Sequence, residues 1–153
     1  MTKSQTSAAG IPVDLVFFFF FFASLPLLDV DSLNENDRAL DTLGASGFAM
    51  MTKVHGYYPG DPKLDAVFAK LNERKAVIFM HPTKCCMSGN ASVPNPSDQY
   101  PTPMMEYFFD TTRAVVNLLL SGTATKYKDL TFLVSRCSAT IPPLIERFAA
   151  FRT

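Results

Sequence analysis

Histidine is scarce in this sequence. Only His55 and His81 occur among 153 residues, so a metal centre built from this chain can draw on at most two imidazoles. Net charge is absent too: fourteen Lys and Arg balance fourteen Asp and Glu, with no basic block. That removes the electrostatic footprint a nucleic acid or an anionic lipid surface requires. Cysteine is sparse and odd in number. Cys85, Cys86 and Cys137 do not read as a disulfide framework, and a reducing, cytoplasmic setting is the expectation. No glycine-rich phosphate loop is present, which leaves a nucleotide site without its usual signature. The apolar run over residues 15–28 has 14 residues, short of the roughly 20 that cross a membrane. It also makes a poor secretory signal, because Asp14 abuts it where a basic segment belongs and only Lys3 precedes it. No membrane partner is expected.

What the chain does have is core material. Apolar residues make up 48% and charged residues 18%, enough for one packed domain and no case for disorder. Phe17 to Phe22 are six consecutive phenylalanines. Apolar on both faces, they read as a buried parallel strand over residues 15–24. Ser32 with Glu35 forms a capping-box pair, and Leu33, Leu40 and Leu43 before Gly44 mark a helix over about residues 33–43. A second strand follows over 47–52. Asp61-Pro62 opens the next helix as N-cap and first position, and Leu64, Val67, Phe68 and Leu71 form one apolar stripe. Residues 76–81 make a third strand, ended by His81-Pro82. Residues 83–107 hold four prolines without periodicity and read as a long loop. Asp110 then caps a helix to about Leu120, residues 130–135 form a fourth strand, and Thr140 with Pro142 opens a last helix.

Strands alternating with helices imply an α/β fold with a parallel sheet of about four βα units. Such a sheet is either a small doubly wound domain or part of a (β/α)8 TIM barrel, since a whole barrel takes ~250 residues. Residues 15–153 are assigned to this domain and residues 1–14 are unplaced. Polar residues stand after each strand: Ser24, Thr52 with Lys53 and His55, His81, and Ser135 with Arg136. Both architectures put chemistry at the carboxyl ends of parallel strands. A histidine at such an end either offers one nitrogen to a metal or hydrogen-bonds to a loop.

Several ordered segments sharpen this. Residues 61–74 (DPKLDAVFAKLNER), 76–83 (AVIFMHPT), 106–122 (EYFFDTTRAVVNLLLSG), Lys126-Tyr127 and residues 130–142 (LTFLVSRCSATIP) together resemble the metal-dependent decarboxylase branch of the amidohydrolase superfamily, notably its fungal members. The resemblance runs over about residues 22–151. It implies a (β/α)8 barrel with a divalent metal, commonly zinc, and a small carboxylated aromatic acid as substrate. The metal would orient that acid and stabilise charge as carbon dioxide leaves. By the same resemblance His81 matches the metal ligand of the family's His-Pro motif. The next ligand position, an imidazole in the family, falls on Arg136, whose guanidinium stays protonated and has no lone pair for a metal. No His-x-His pair occurs in the chain. The segment corresponds to units three to six of the barrel, and the family's late Asp would lie beyond Thr153.

Other candidates keep two readings each. His55 either lines the site or is a loop histidine. Arg113 either binds a substrate carboxylate or supports its helix start by pairing with Glu106 or Asp110. Adjacent Cys85 and Cys86 lack the spacing for one tetrahedral ion, and Cys137 reads as a small buried hydrophobe. The expected function is a metal-dependent carboxy-lyase, impaired or inactive as this chain alone, with metal bound weakly or not at all. The alternatives are a non-catalytic remnant that forms a homodimer or pairs with a full-length paralogue, and a small binding domain without metal.

Overall fold

The computed structural model describes residues 20–25, 31–83, 99–136 and 139–150. Residues 1–19, the Cys85-Cys86 pair and Cys137 lie outside them. The elements in chain order are β1 (Phe22–Ser24), α1 (Asp31–Asp37, continued as a wider π-turn through Arg38–Thr42), β2 (Gly47–Met51) and α2 (Asp65–Glu73). They continue with β3 (Val77–His81), α3 (Glu106–Leu120), the single turn α4 (Thr123–Lys126), β4 (Thr131–Val134) and α5 (Ile141–Ala149). The four strands form one sheet in the order β1-β2-β3-β4, and every pairing is parallel. The α/β expectation and the strand order therefore hold.

The helix α2 shows how the sequence builds this. Asp61 accepts a hydrogen bond from the Lys63 backbone N–H at 3.0 Å, and Pro62 begins a 3-10 turn that leads into the helix. Leu64, Val67, Phe68 and Leu71 are all buried, so the apolar stripe is the face that meets the sheet. The helix stops because Lys75 turns into the left-handed region at φ 49°. Ala76 N–H then bonds back to Leu71 C=O at 3.1 Å and Lys75 N–H to Asn72 C=O at 3.0 Å, a Schellman ending with Lys where Gly is usual. Against this stripe stand Phe48 and Met50 of β2 and Ile78 and Met80 of β3, each nearly inaccessible. Phe68 also packs its ring 6.0 Å from Tyr127 and 6.2 Å from Phe132. Burial of each such side chain contributes roughly 1.5–3 kcal/mol. The exposed ion pairs Arg38–Glu35 and Lys126–Asp65 contribute far less, so apolar packing of α2 on β2 and β3 holds the frame.

Two expectations need correction. The phenylalanine run is not a buried strand in its described part: β1 has three residues, and Phe20, Phe21 and Phe22 are exposed by 74%, 43% and 38%. Its position explains this, because among the described residues β1 is an edge that pairs with β2 alone. The second concerns α3, which starts at Glu106 after a 3-10 turn over Thr102–Met104. The loop therefore ends sooner than its prolines suggest, and Asp110 sits inside the helix with no capping role.

Candidate active site at the carboxyl edge of the sheet

Strand register decides which residues stand level at the carboxyl edge. Met51 pairs with His81, and Met80 with Val134. Continuing each pairing puts His81 beside Ser135, and Thr52, Pro82 and Arg136 in one row just beyond. Ser24 does not reach that row. It pairs with Ala49, three positions before Thr52, or about 10 Å short along the strand.

Behind the row lies a buried polar knot. Thr52 and Asp110 are fully buried, and the Thr52 hydroxyl donates to Asp110 Oδ2 in a short contact. Tyr58 donates its phenol to Asp110 Oδ1 at 2.7 Å. Thr83 joins through its backbone N–H to Thr52 Oγ1 at 3.1 Å and its hydroxyl to Asp110 Oδ2 at 3.5 Å. Thr52 N–H also bonds to the His81 carbonyl at 2.9 Å. The knot thus ties the ends of β2 and β3 to α3 and fixes the backbone at and just after His81. Sequence reasoning missed it. Its bonds to Asp110 span 27 to 58 positions, and only the polarity of residues after the strands hinted at any of its members.

His81 itself is exposed at the strand end. Its Nδ1 lies 2.9 Å from the Pro82 carbonyl. A carbonyl only accepts, so Nδ1 carries the proton and Nε2 keeps the lone pair that could meet a metal. Arg136, in the row beside it, has φ 57°. Its guanidinium carbon lies 5.2 Å from the ring centres of both Tyr107 and Phe108 in the first turn of α3. Two further candidates stand apart from this row. His55 is exposed in a two-residue turn closed by paired Val54–Tyr57 hydrogen bonds of 2.9 Å. His55 and Gly56 both have positive φ there, as a type I′ turn demands. Arg113 lies on an exposed part of α3, one turn past Asp110.

A catalytic metal takes three or more protein ligands. Among the described residues, no group of three or more His, Cys, Asp or Glu is placed to hold an ion. Asp110 is held by hydroxyl donors inside the knot, and Arg136 cannot ligate. The described residues supply one imidazole nitrogen and so do not fit a catalytic metal by themselves.

A family model described as amidohydrolase matches residues 14–153. This chain belongs to the amidohydrolase family. Among curated relatives, a 6-methylsalicylic acid decarboxylase of Aspergillus aculeatus is 33% identical over 139 residues, covering 84% of this chain and 39% of its own length. A solved structure of an amidohydrolase II is 29% identical with a TM-score of 0.77, over 87% of this chain and 42% of that one. A dihydroxybenzoic acid decarboxylase from Polaromonas sp. JS666, solved with bound manganese and an inhibitor, shares the fold at a TM-score of 0.64 and 19% identity, over 84% of this chain and 41% of that one. The amidohydrolase chain here spans about two-fifths of the length of the curated relatives it matches. Its four parallel βα units make a partial (β/α)8 barrel. Among the described residues, no helix is long and apolar enough to cross a membrane.

Proposed function

We propose that this chain carries part of the active site of a metal-dependent decarboxylase acting on a carboxylated aromatic acid, and that the chain alone is impaired or inactive. One observation carries the reading: the sheet register of an amidohydrolase sets His81, its Nδ1 turned to the Pro82 carbonyl, at the carboxyl edge beside Thr52 and Arg136. The substrate class follows the relatives, and the cytosol is the proposed location on the odd, partly adjacent cysteines. Zinc or another divalent ion would meet one imidazole here, so binding is weak. Metal analysis of purified protein, alongside decarboxylation assays on a panel of hydroxybenzoates with added zinc and manganese, tests this. Substoichiometric metal and negligible turnover are expected. Tight stoichiometric metal with turnover would show that ligands beyond His81 complete the site.

A second reading has its own observation. Among the described residues β1 and β4 each pair on one side only, and Leu133 on β4 is 44% exposed. Open parallel edges invite a further strand, from a second copy of this chain or from a full-length paralogue. Size-exclusion chromatography with light scattering should show dimers or larger species. A soluble monomer with one sharp unfolding transition removes this reading.

A further inference from the structure

Arg136 stands where the family resemblance calls for an imidazole, next to the aromatic first turn of α3. We propose that Arg136 anchors the carboxylate of an aromatic acid directly, beside the rings of Tyr107 and Phe108, without a metal. The inference rests on the reading that the carboxyl edge receives such an acid.

Five observations support it. The guanidinium lies 5.2 Å from both ring centres, within the range of cation–π attraction. Stacking on a ring face leaves the in-plane N–H groups for a bidentate carboxylate. Among the described residues its hydrogen bond is a long one, from Nη1 to the Pro103 carbonyl at 3.4 Å. Among the described residues it makes no ion pair, whereas Arg38 meets Glu35 and Arg74 meets Asp41. The residue holds a left-handed φ of 57°, a conformation a bulky side chain adopts only when its surroundings impose it. Directly before it, Ser135 Oγ is shielded from solvent and has no hydrogen-bond partner among the described residues, so a second polar group at the same strand end remains to be satisfied. A carboxylate attached to an aromatic ring matches both parts of this arrangement: the anion faces the fork, and the ring joins the aromatic wall. An inorganic anion would use only the first part, and a neutral arene only the second.

The test uses the whole chain in EDTA, titrated with salicylate and, in parallel, with benzyl alcohol as an uncharged arene, by isothermal calorimetry. Saturable salicylate binding without metal is expected, with none for benzyl alcohol. Arg136→Gln should weaken salicylate about tenfold or more, the loss of a charge-assisted pair. Should that variant fail to fold, the Arg136 Nε–H resonance of the unmodified chain serves instead: it should shift with salicylate and stay put with benzyl alcohol. Salicylate binding that Arg136→Gln leaves unchanged, or a resonance that does not move, overturns the anchor while the decarboxylase reading stands. Failure of salicylate to bind with or without added manganese overturns both.

Discussion

The starts of α2 and α3 each carry an aspartate, put to different uses. Before α2, the half-buried Asp61 side chain accepts the Lys63 N–H, and Pro62 needs no partner. At α3, Met105 occupies the cap position and its side chain caps nothing. The nearby aspartate, Asp110, lies one turn inside, fully buried, with its oxygens taken by Thr52, Tyr58 and Thr83. A cap is a local device worth about 1 kcal/mol. A buried carboxylate held by several hydroxyls joins elements that are distant in sequence, and losing it strands each of those donors. One helix start serves itself, and the other serves the edge of the sheet.

The sharpest way to break this comparison is to remove both carboxylates. Asp110→Ala should destabilise the chain by about 3 kcal/mol, because the hydroxyls of Thr52 and Tyr58 lose their acceptor inside the protein. The urea midpoint reads it. A loss below about 1 kcal/mol would mean that the knot is not formed in solution. Between the two helices lies Gly60, where a Cβ would stand 2.3 Å from Asn117 Oδ1, 2.6 Å from Ser121 Oγ and 2.9 Å from the Asn117 carbonyl. Side chains can swing away, but the α3 backbone cannot, so Gly60→Ala should cost about 1–3 kcal/mol. A neutral result would show that the end of α3 moves freely relative to the start of α2. Asp61→Ala should cost about 1 kcal/mol, measured in the same way. If it equals Asp110→Ala, the contrast between local and long-range roles fails.

These contrasts also mark what could be read from the sequence. Strand order, parallel pairing, the α2 stripe and its Asp-Pro start were legible, because periodicity and capping are relations among residues a few positions apart. His81 was legible as a strand-end residue for the same reason. Asp110 was not. Its spacing before an apolar run gives the same signal as a cap, and nothing nearby announces hydroxyl partners up to 58 positions away. The exposure of Phe20–Phe22 was hidden for a related reason: composition says a segment is apolar, while only sheet order says that it lies at an edge. The aromatic walls beside Arg136 depend on α3 beginning at Glu106, one turn earlier than Asp110 suggests.

The smallest expected effect concerns the third aspartate of this group, Asp65, in the first turn of α2. Its carboxyl is held below its ordinary value of 3.8, chiefly by the hydrogen bond from Lys126, with burial opposing and the Tyr127 hydroxyl assisting. Lys126 Nζ is 2.7 Å away and the Tyr127 oxygen 3.1 Å. A carboxyl whose pKa is lower in the folded chain binds protons more readily when unfolded. The stability it contributes is therefore fully present above about pH 4, where the unfolded carboxyl is already ionised, and is lost as pH falls through the lower folded value. The side chain is 41% exposed, and solvent screening limits the contribution to no more than about 0.5 kcal/mol. Urea midpoints of the wild-type chain and of Asp65→Asn, followed from about pH 6 down to about pH 3, should converge as the acid limit is approached. Adding salt at neutral pH should narrow the same gap, since screening weakens an exposed pair. A gap that persists unchanged at about pH 3 would assign the effect to the helix start itself, as at Asp61, rather than to the pairing with Lys126.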